Sequence, residues 1–182
     1  MTNDWINGKF EETDIDYKIA GKNILWKNEI KYLPMGVELL CKKLKPKSVL
    51  EFGFGLGWTA SEFQKQGVKR HVILEPNKEN YQMALEWKKQ YNTDIEILNI
   101  FSWDFNTDEN FDLVYDDRQP IARGDTKKHF KHMKTILPKK QWYGMNVTPV
   151  YGKSTNNDAI DFIFNKVKYR QHLMRGLWQH LV

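Results

Sequence analysis

Cysteine is nearly missing from this chain. Cys41 is the only one among 182 residues, so no disulfide can form within the chain and a cytoplasmic compartment fits. Cys41 sits in an apolar helical pattern and reads as a buried structural thiol rather than a nucleophile. Long hydrophobic runs are also absent, which leaves no segment able to span a bilayer and no membrane partner. The first residues, Met1-Thr2-Asn3-Asp4-Trp5, are polar and acidic and do not read as a signal peptide. There is no repeat, low-complexity tract or long Gly/Pro/Ser linker, and the length suits one domain over 1–182. Five histidines are present, none with a ligand spacing to acids, so no metal is expected. His129 and His132 are three apart in a Lys-rich helical pattern and read as solvent-facing.

What is present is enough to build a core: 41% of residues are hydrophobic. The net charge is +5, unevenly spread. From Ile121 onward there are 12 Lys/Arg against 3 Asp/Glu, and before it 16 against 20. The basic third reads as a solvated face, with nucleic acid or an acidic partner as the alternative. Short apolar runs at 48–52, 71–75, 95–99, 111–115 and 142–147 predict strands, several of them buried on both faces. Helical patterns fall between or before them, at 28–44, 58–66, 78–91 and 126–137, and Asn77 reads as an N-cap. This alternation predicts an α/β, Rossmann-like doubly wound sheet, mainly parallel, with a ligand crevice at the carboxyl ends of the strands. The expected layout is an N-terminal lid and helix over 1–46, a core over 47–150 and a C-terminal helix over 151–182. That last helix carries Ile160, Ile163, Phe164, Val167, Met174, Leu177, Trp178 and Leu181 on one face. It reads as packing on the sheet or docking on a second subunit.

The most informative run is Ser48-Val49-Leu50-Glu51-Phe52-Gly53-Phe54-Gly55-Leu56-Gly57, a strand ending in an acid and three glycines spaced two apart. Strand, glycine turn and helix build a nucleotide-cofactor pocket, because glycine permits a tight turn and a close ligand approach. The dinucleotide fingerprint G-x-G-x-x-G fails here, since Trp58 stands at its last position. The spacing Glu51-x-Gly53-x-Gly55-x-Gly57 instead resembles the loop of class I S-adenosyl-L-methionine methyltransferases. Glu75 ends the second core strand about twenty residues later, where an acid can accept both ribose hydroxyls of an adenosine. Ser102, Trp103 and Asp104 follow the third core strand, beside the expected adenine. Asp116 and Asp117 end the fourth, and adjacent carboxylates in a concave site suit a cationic acceptor or a metal; a loop pair satisfied by Arg118 or Arg123 is the plainer alternative.

The segments Gly21-Lys22-Asn23-Ile24-Leu25-Trp26-Lys27-Asn28-Glu29, Val49-Leu50-Glu51-Phe52-Gly53-Phe54-Gly55, Ile73-Leu74-Glu75, Phe111-Asp112-Leu113-Val114-Tyr115-Asp116 and Asn146-Val147-Thr148 together resemble guanidinoacetate N-methyltransferase. The protein arginine δ-N-methyltransferases share much of the pattern. The resemblance runs from about Asp16 to Lys153. It implies S-adenosyl-L-methionine as cofactor and S-adenosyl-L-homocysteine as product. Gly53, Gly55 and Gly57 would line the methionine part and Glu75 would hold the ribose. Asp116 and Glu29 would bind a guanidino group, with Asp116 as proton acceptor. Asn146 and Thr148 would help hold the acceptor, and Trp5 would serve as an aromatic lid. The function it implies is methyl transfer to a guanidino or amino nitrogen of a small molecule.

Several positions depart from that family. Leu137-Pro138-Lys139-Lys140-Gln141 replaces a Lys-Pro-Gly-Gly turn, Asp117 adds a charge, and Arg118-Gln119 does not match. Only 34 residues follow Thr148, so the C-terminal part is expected to be shortened and an exposed sheet edge to favour a homodimer. The alternatives are a protein arginine or nucleic-acid methyltransferase, a non-catalytic S-adenosyl-L-methionine-binding scaffold, and an NAD(P) oxidoreductase. Against the last stand the missing glycine and the lack of an evident proton relay.

Overall fold

A computed structural model describes residues 2–118, 125–136 and 143–145. The helices are α1 (Thr2–Ile6), α2 (Leu33–Leu44), α3 (Trp58–Lys65), α4 (Lys78–Lys88) and α5 (Asp125–Ile136). The strands are β1 (Phe10–Glu12), β2 (Asp16–Ile19), β3 (Lys22–Trp26), β4 (Ser48–Phe52), β5 (Arg70–Leu74), β6 (Asp94–Leu98), β7 (Leu113–Asp116) and β8 (Tyr143–Met145). The expected C-terminal helix over 151–182 lies outside the described residues, as do Asn146 and Thr148.

The main sheet has the order β6-β5-β4-β7-β8, and every pairing in it is parallel. The chain starts in the middle at β4, winds out through β5 and β6, and returns on the other side through β7 and β8. The crevice therefore opens where β4 and β7 part company. Alternation along the strands feeds two apolar layers. Val49 packs with Val37, Leu40, Cys41 and Phe63 under α2 and α3, whereas Leu50 and Phe52 pack with Phe105, Phe111 and Met133 under α5. Burial of both faces explains why these strands read as continuous apolar runs. Within the first layer, desolvation pushes the Cys41 thiol up to about 12, which keeps it protonated and unreactive.

The second sheet, β1-β2-β3, is antiparallel and was not foreseen. Its β2–β3 hairpin turns through Ala20 (φ 50°) and Gly21 (φ 70°), the two left-handed residues a tight hairpin of matching twist requires. The sheet precedes α2, whose start is also later than the apolar pattern suggests. Pro34 stands in the first helical turn, where its missing N–H costs nothing, and residues 27–32 form turns instead.

The N-terminal segment is pinned to the start of α4, chiefly by Asn77. Asn77 caps α4 by accepting the Asn80 N–H, as its position suggested. Its amide nitrogen also donates to the carbonyls of Trp5 (2.7 Å) and Gly8 (2.9 Å). A third tie runs from the Phe10 N–H to Glu79 Oε2 at 2.8 Å.

Candidate active site

The glycine turn after β4 is built from three left-handed residues, Gly53 (φ 87°), Gly55 (φ 56°) and Gly57 (φ 75°). They serve different ends. A Cβ on Gly57 would lie 2.7 Å from the Phe54 ring, so that glycine lets the turn close on its own aromatic residue. A Cβ on Gly53 would come within 3.3 Å of Arg118 Cα, so that glycine lets the loop after β7 approach the loop after β4. Gly55 faces open space, and the N-terminus of α3 beyond it has no side-chain cap.

Around this turn lies an open cavity, about 610 Å³ when the space out to solvent at its mouth is included. Trp5, Gly53, Gly55, Glu75, Ser102, Trp103 and Asp117 line it, all of them expected from the sequence. So do Ile24, Phe52, Leu74, Pro76, Asn80, Phe101 and Arg118. Phe101 and Trp103 stack face to face, 4.6 Å between centroids at 6°, and Lys128 Nζ sits over the Trp103 ring. Trp5 is buried, and its Nε1 meets no acceptor among the described residues.

Glu75 is buried at the end of β5. Its Oε2 accepts the Phe54 N–H at 3.1 Å and its Oε1 accepts the Asn77 N–H at 2.8 Å. The acid thus joins the glycine turn to the start of α4. Desolvation pushes its pKa up from the ordinary 4.5, and backbone donors from Asn77, Phe54 and Gly55 pull against that.

Five expected residues are not in the lining, among them Asp104, whose N–H closes a turn on the Phe101 carbonyl. Glu51 is fully buried behind the glycine turn, where Thr59 donates to its Oε1 and His71 Nε2 lies 2.9 Å from its Oε2. The chain continues from His71 Nδ1 to Gln64 and on to Thr93, so Glu51 holds the turn from behind. Gly57 shapes the turn, as above. Glu29 lies in the turns before α2, where its Oε2 accepts the Trp26 N–H at 3.2 Å. Asp116 is buried beneath the wall that Asp117 and Arg118 present to the cavity.

Asp116 has two partners, Arg118, which the plainer sequence reading offered, and His129, which it did not. Arg118 Nε is 3.2 Å from its Oδ1 and His129 Nε2 is 3.3 Å from its Oδ2. His129 Nδ1 in turn lies 2.6 Å from Ser102 Oγ. The expectation that His129 and His132 face solvent is corrected: His129 is fully buried and packs edge-on to Phe52, and His132 is half-buried against the Phe105 carbonyl. The missed signal is the spacing of His129, Met133 and Ile136, which places the histidine on the apolar stripe of α5. Among the described residues no group of three or more His, Cys, Asp or Glu could hold a metal ion, and no helix is long and apolar enough to cross a membrane.

The sequence model of guanidinoacetate N-methyltransferase matches residues 2–148. The chain belongs to this family. S-adenosyl-L-methionine is the cofactor that goes with this family. A comparison with curated protein sequences finds no match. Solved structures share the fold at low identity. The plantazolicin methyltransferase BpumL, in complex with S-adenosyl-L-homocysteine, is 11% identical with a TM-score of 0.57, over 80% of this chain and 67% of that one. The N-methyltransferase NodS from Bradyrhizobium japonicum WM9 is 15% identical with a TM-score of 0.53, over 84% and 83%. A StiE O-MT fragment is 14% identical with a TM-score of 0.53, over 78% and 50%. The chain spans about half the length of some such proteins, 50% of the StiE fragment and 46% of a methyltransferase from Clostridium acetobutylicum ATCC 824.

The methyltransferase site fits its cofactor on three observations. Gly55 leaves open space where any other residue would place a side chain. Glu75 lines the cavity at the end of β5, where a carboxylate can accept from hydroxyls of a bound nucleoside. Trp5 Nε1 is a buried donor awaiting an acceptor.

A pH dependence follows. Hydroxyl donors favour the ionised carboxylate, so a cofactor whose ribose meets Glu75 is expected to lower its raised pKa and release a proton where the free protein still holds one. The folded free protein also holds that proton more tightly than the unfolded chain. Its stability from this group is present below 4.5 and falls as pH rises toward the raised value. Affinity for S-adenosyl-L-homocysteine is expected to climb with pH over that window and then level off. Calorimetry in two buffers of unlike ionisation enthalpy should read proton release on the acidic side. An affinity independent of pH there would mean that Glu75 does not meet the ribose.

Proposed function

We propose that the protein transfers the methyl group of S-adenosyl-L-methionine to a guanidino or amino nitrogen of a small molecule. The observation that carries this reading is the cavity wall after β7, where Asp117 faces the crevice beside the glycine turn. A carboxylate there attracts a cationic acceptor and matches the fork of donors on a guanidinium.

Bound S-adenosyl-L-methionine supplies a methyl group already activated on a sulfonium sulfur. The protein then has two tasks, to align the acceptor nitrogen with that methyl and to take a proton. A guanidinium is not nucleophilic while protonated, because its pKa lies above about 12. The family pattern assigns the acceptor's cation to Asp116 and Glu29. Both oxygens of Asp116 already meet donors, from Arg118 and His129. We give the cavity-facing role to Asp117 because it lines the crevice whereas Asp116 is buried behind it, with Asp116 as the charge that holds Arg118 and His129 in place. Glu29 orders the turn before α2, and its reach to the acceptor is part of the proposal. Asn146 and Thr148 complete the acceptor side in this reading, and Trp5 forms the lid.

The test is formation of S-adenosyl-L-homocysteine from S-adenosyl-L-methionine with guanidinoacetate, arginine and simple amines as acceptors. Turnover is expected with at least one of them, and Asp117→Asn should lower kcat by about 100-fold while leaving cofactor affinity intact. Transfer only to protein arginine or to nucleic acid would replace the small-molecule reading. Cofactor binding without transfer to any acceptor would point to the non-catalytic alternative.

A further inference from the structure

We propose that His129 is a positioning residue that turns Ser102 into a pure hydrogen-bond acceptor toward the cavity, so that the site selects a cofactor whose base carries a donor, as adenine does at its exocyclic amine. The inference rests on the cavity being the S-adenosyl-L-methionine site.

The argument is one of hydrogen-bond polarity. Ser102, His129 and Asp116 form an unbroken line, with His129 fully buried and the other two nearly so. Asp116, beside the Arg118 guanidinium, offers only acceptors. His129 Nε2, at 3.3 Å from Asp116 Oδ2, must therefore carry a hydrogen, since the other tautomer would set lone pair against lone pair. Desolvation holds the His129 pKa below the ordinary 6.5, so the ring is neutral near pH 7 and has one N–H to give. That one goes to Asp116, and Nδ1 is left bare. Nδ1 lies 2.6 Å from Ser102 Oγ, and the only hydrogen available to that bond is the hydroxyl's own. Ser102 then has lone pairs left and no hydrogen. A donor opposite it is welcome, and a carbonyl opposite it meets lone pairs.

Sheet order says what stands opposite. The glycine turn follows β4, Glu75 ends β5, and Phe101-Ser102-Trp103 follow β6, in the spatial order β6-β5-β4. A nucleoside held at its ribose by Glu75, with its sulfur end at the glycine turn, must extend its base toward residues 101–103. The stacked Phe101–Trp103 pair there offers an apolar surface for a base, and Ser102 sits between the two in sequence.

The plainer account is that His129 only fills space against Phe52. The two accounts part over a ratio. Calorimetric titration of the full chain with S-adenosyl-L-homocysteine and with S-inosyl-L-homocysteine, which carries a carbonyl where adenine has its amine, gives that ratio for each variant. The wild type is expected to favour the adenine form by at least about tenfold. His129→Phe keeps an aromatic ring against Phe52 but frees the Ser102 hydroxyl to rotate, and Ser102→Ala removes the oxygen without touching a buried charge. Both should bring the ratio within about threefold of unity. His129→Gln should keep it, because one amide can donate to Asp116 while accepting from Ser102. If His129 is only packing, its variants weaken both ligands alike and the wild-type ratio persists, which overturns the proposal. Equal binding of the two ligands by the wild type overturns it as well. Should His129→Phe fail to fold, the Ser102→Ala ratio decides. Binding of neither ligand by the wild type would bring down the cofactor assignment, and this inference with it.

Discussion

Glu75→Ala is expected to lower affinity for S-adenosyl-L-homocysteine by about 100-fold or more. Each hydrogen bond from a ribose hydroxyl to a buried carboxylate is worth roughly 1.5–3 kcal/mol, and the expected loss corresponds to one or two of them. The effect on folding is expected to be much smaller, because two contributions oppose. The substitution leaves the buried N–H groups of Phe54 and Asn77 without their acceptor, at about 1–3 kcal/mol each. It also removes a carboxyl whose ionised form is disfavoured by burial, as its raised pKa records. Affinity and stability should therefore separate. Glu75→Gln, which retains one acceptor oxygen, should fall between alanine and wild type in calorimetry. An alanine variant that binds as tightly as the wild type would remove Glu75 from the site.

Asp116→Ala is expected to do the reverse, with a large loss of stability as well as of turnover. Removing one partner from a buried ionic cluster typically costs about 3–5 kcal/mol, because the charge left behind has lost its compensation. Here the charge left behind is the Arg118 guanidinium, which is mostly buried, and the His129 ring loses the acceptor that fixes its tautomer. Denaturant titration should give a lower midpoint with an unchanged slope. Turnover is expected to be abolished, since Arg118 and Asp117 form the wall that the cluster supports. Unfolding free energy within about 0.5 kcal/mol of wild type would mean that the cluster is not coupled as drawn.

The parallel sheet was the most legible part of the chain. β4 falls on 48–52 as expected, and β5 and β6 each begin and end one residue early, because continuous apolar runs with flanking turns leave little choice of register. The first strand of the return half is less clean. Phe111 is buried but precedes the ladder, which runs from Leu113 to Asp116, so apolar character alone misplaced its start. The helix after β5 ends at Lys88 rather than Tyr91, although Tyr91 still packs on Trp87. β1, β2 and β3 were illegible for a physical reason. They are three to five residues long and largely half-exposed, and their pairing is made by backbone rather than by an apolar stripe.

At the site, position in the chain was a better guide than residue type. Glycines, Glu75, Ser102, Trp103 and Asp117 were found because they follow strands whose carboxyl ends converge. Glu51 was misjudged because an acid at a strand end reads alike whether it faces the crevice or the layer behind it. Only the partners, Thr59 and His71, reveal the difference. His129 was misjudged because its Lys neighbours outweighed its place on the apolar stripe. Its buried counter-charge, Asp116, is thirteen residues away in the chain, so the sequence does not show the two together.

The double use of Asn77 has a kinetic consequence. The carbonyls of Trp5 and Gly8 hang on the same amide group that caps α4. Lifting Trp5 from the cavity means breaking those bonds, and each costs about as much as an ordinary buried hydrogen bond. The segment that carries Trp5 is thus fastened to the first turn of α4, through the nitrogen of the amide whose oxygen caps that helix. With Trp5 as the proposed lid, the dwell time of a bound nucleoside is expected to follow the strength of these two bonds rather than any step of the reaction.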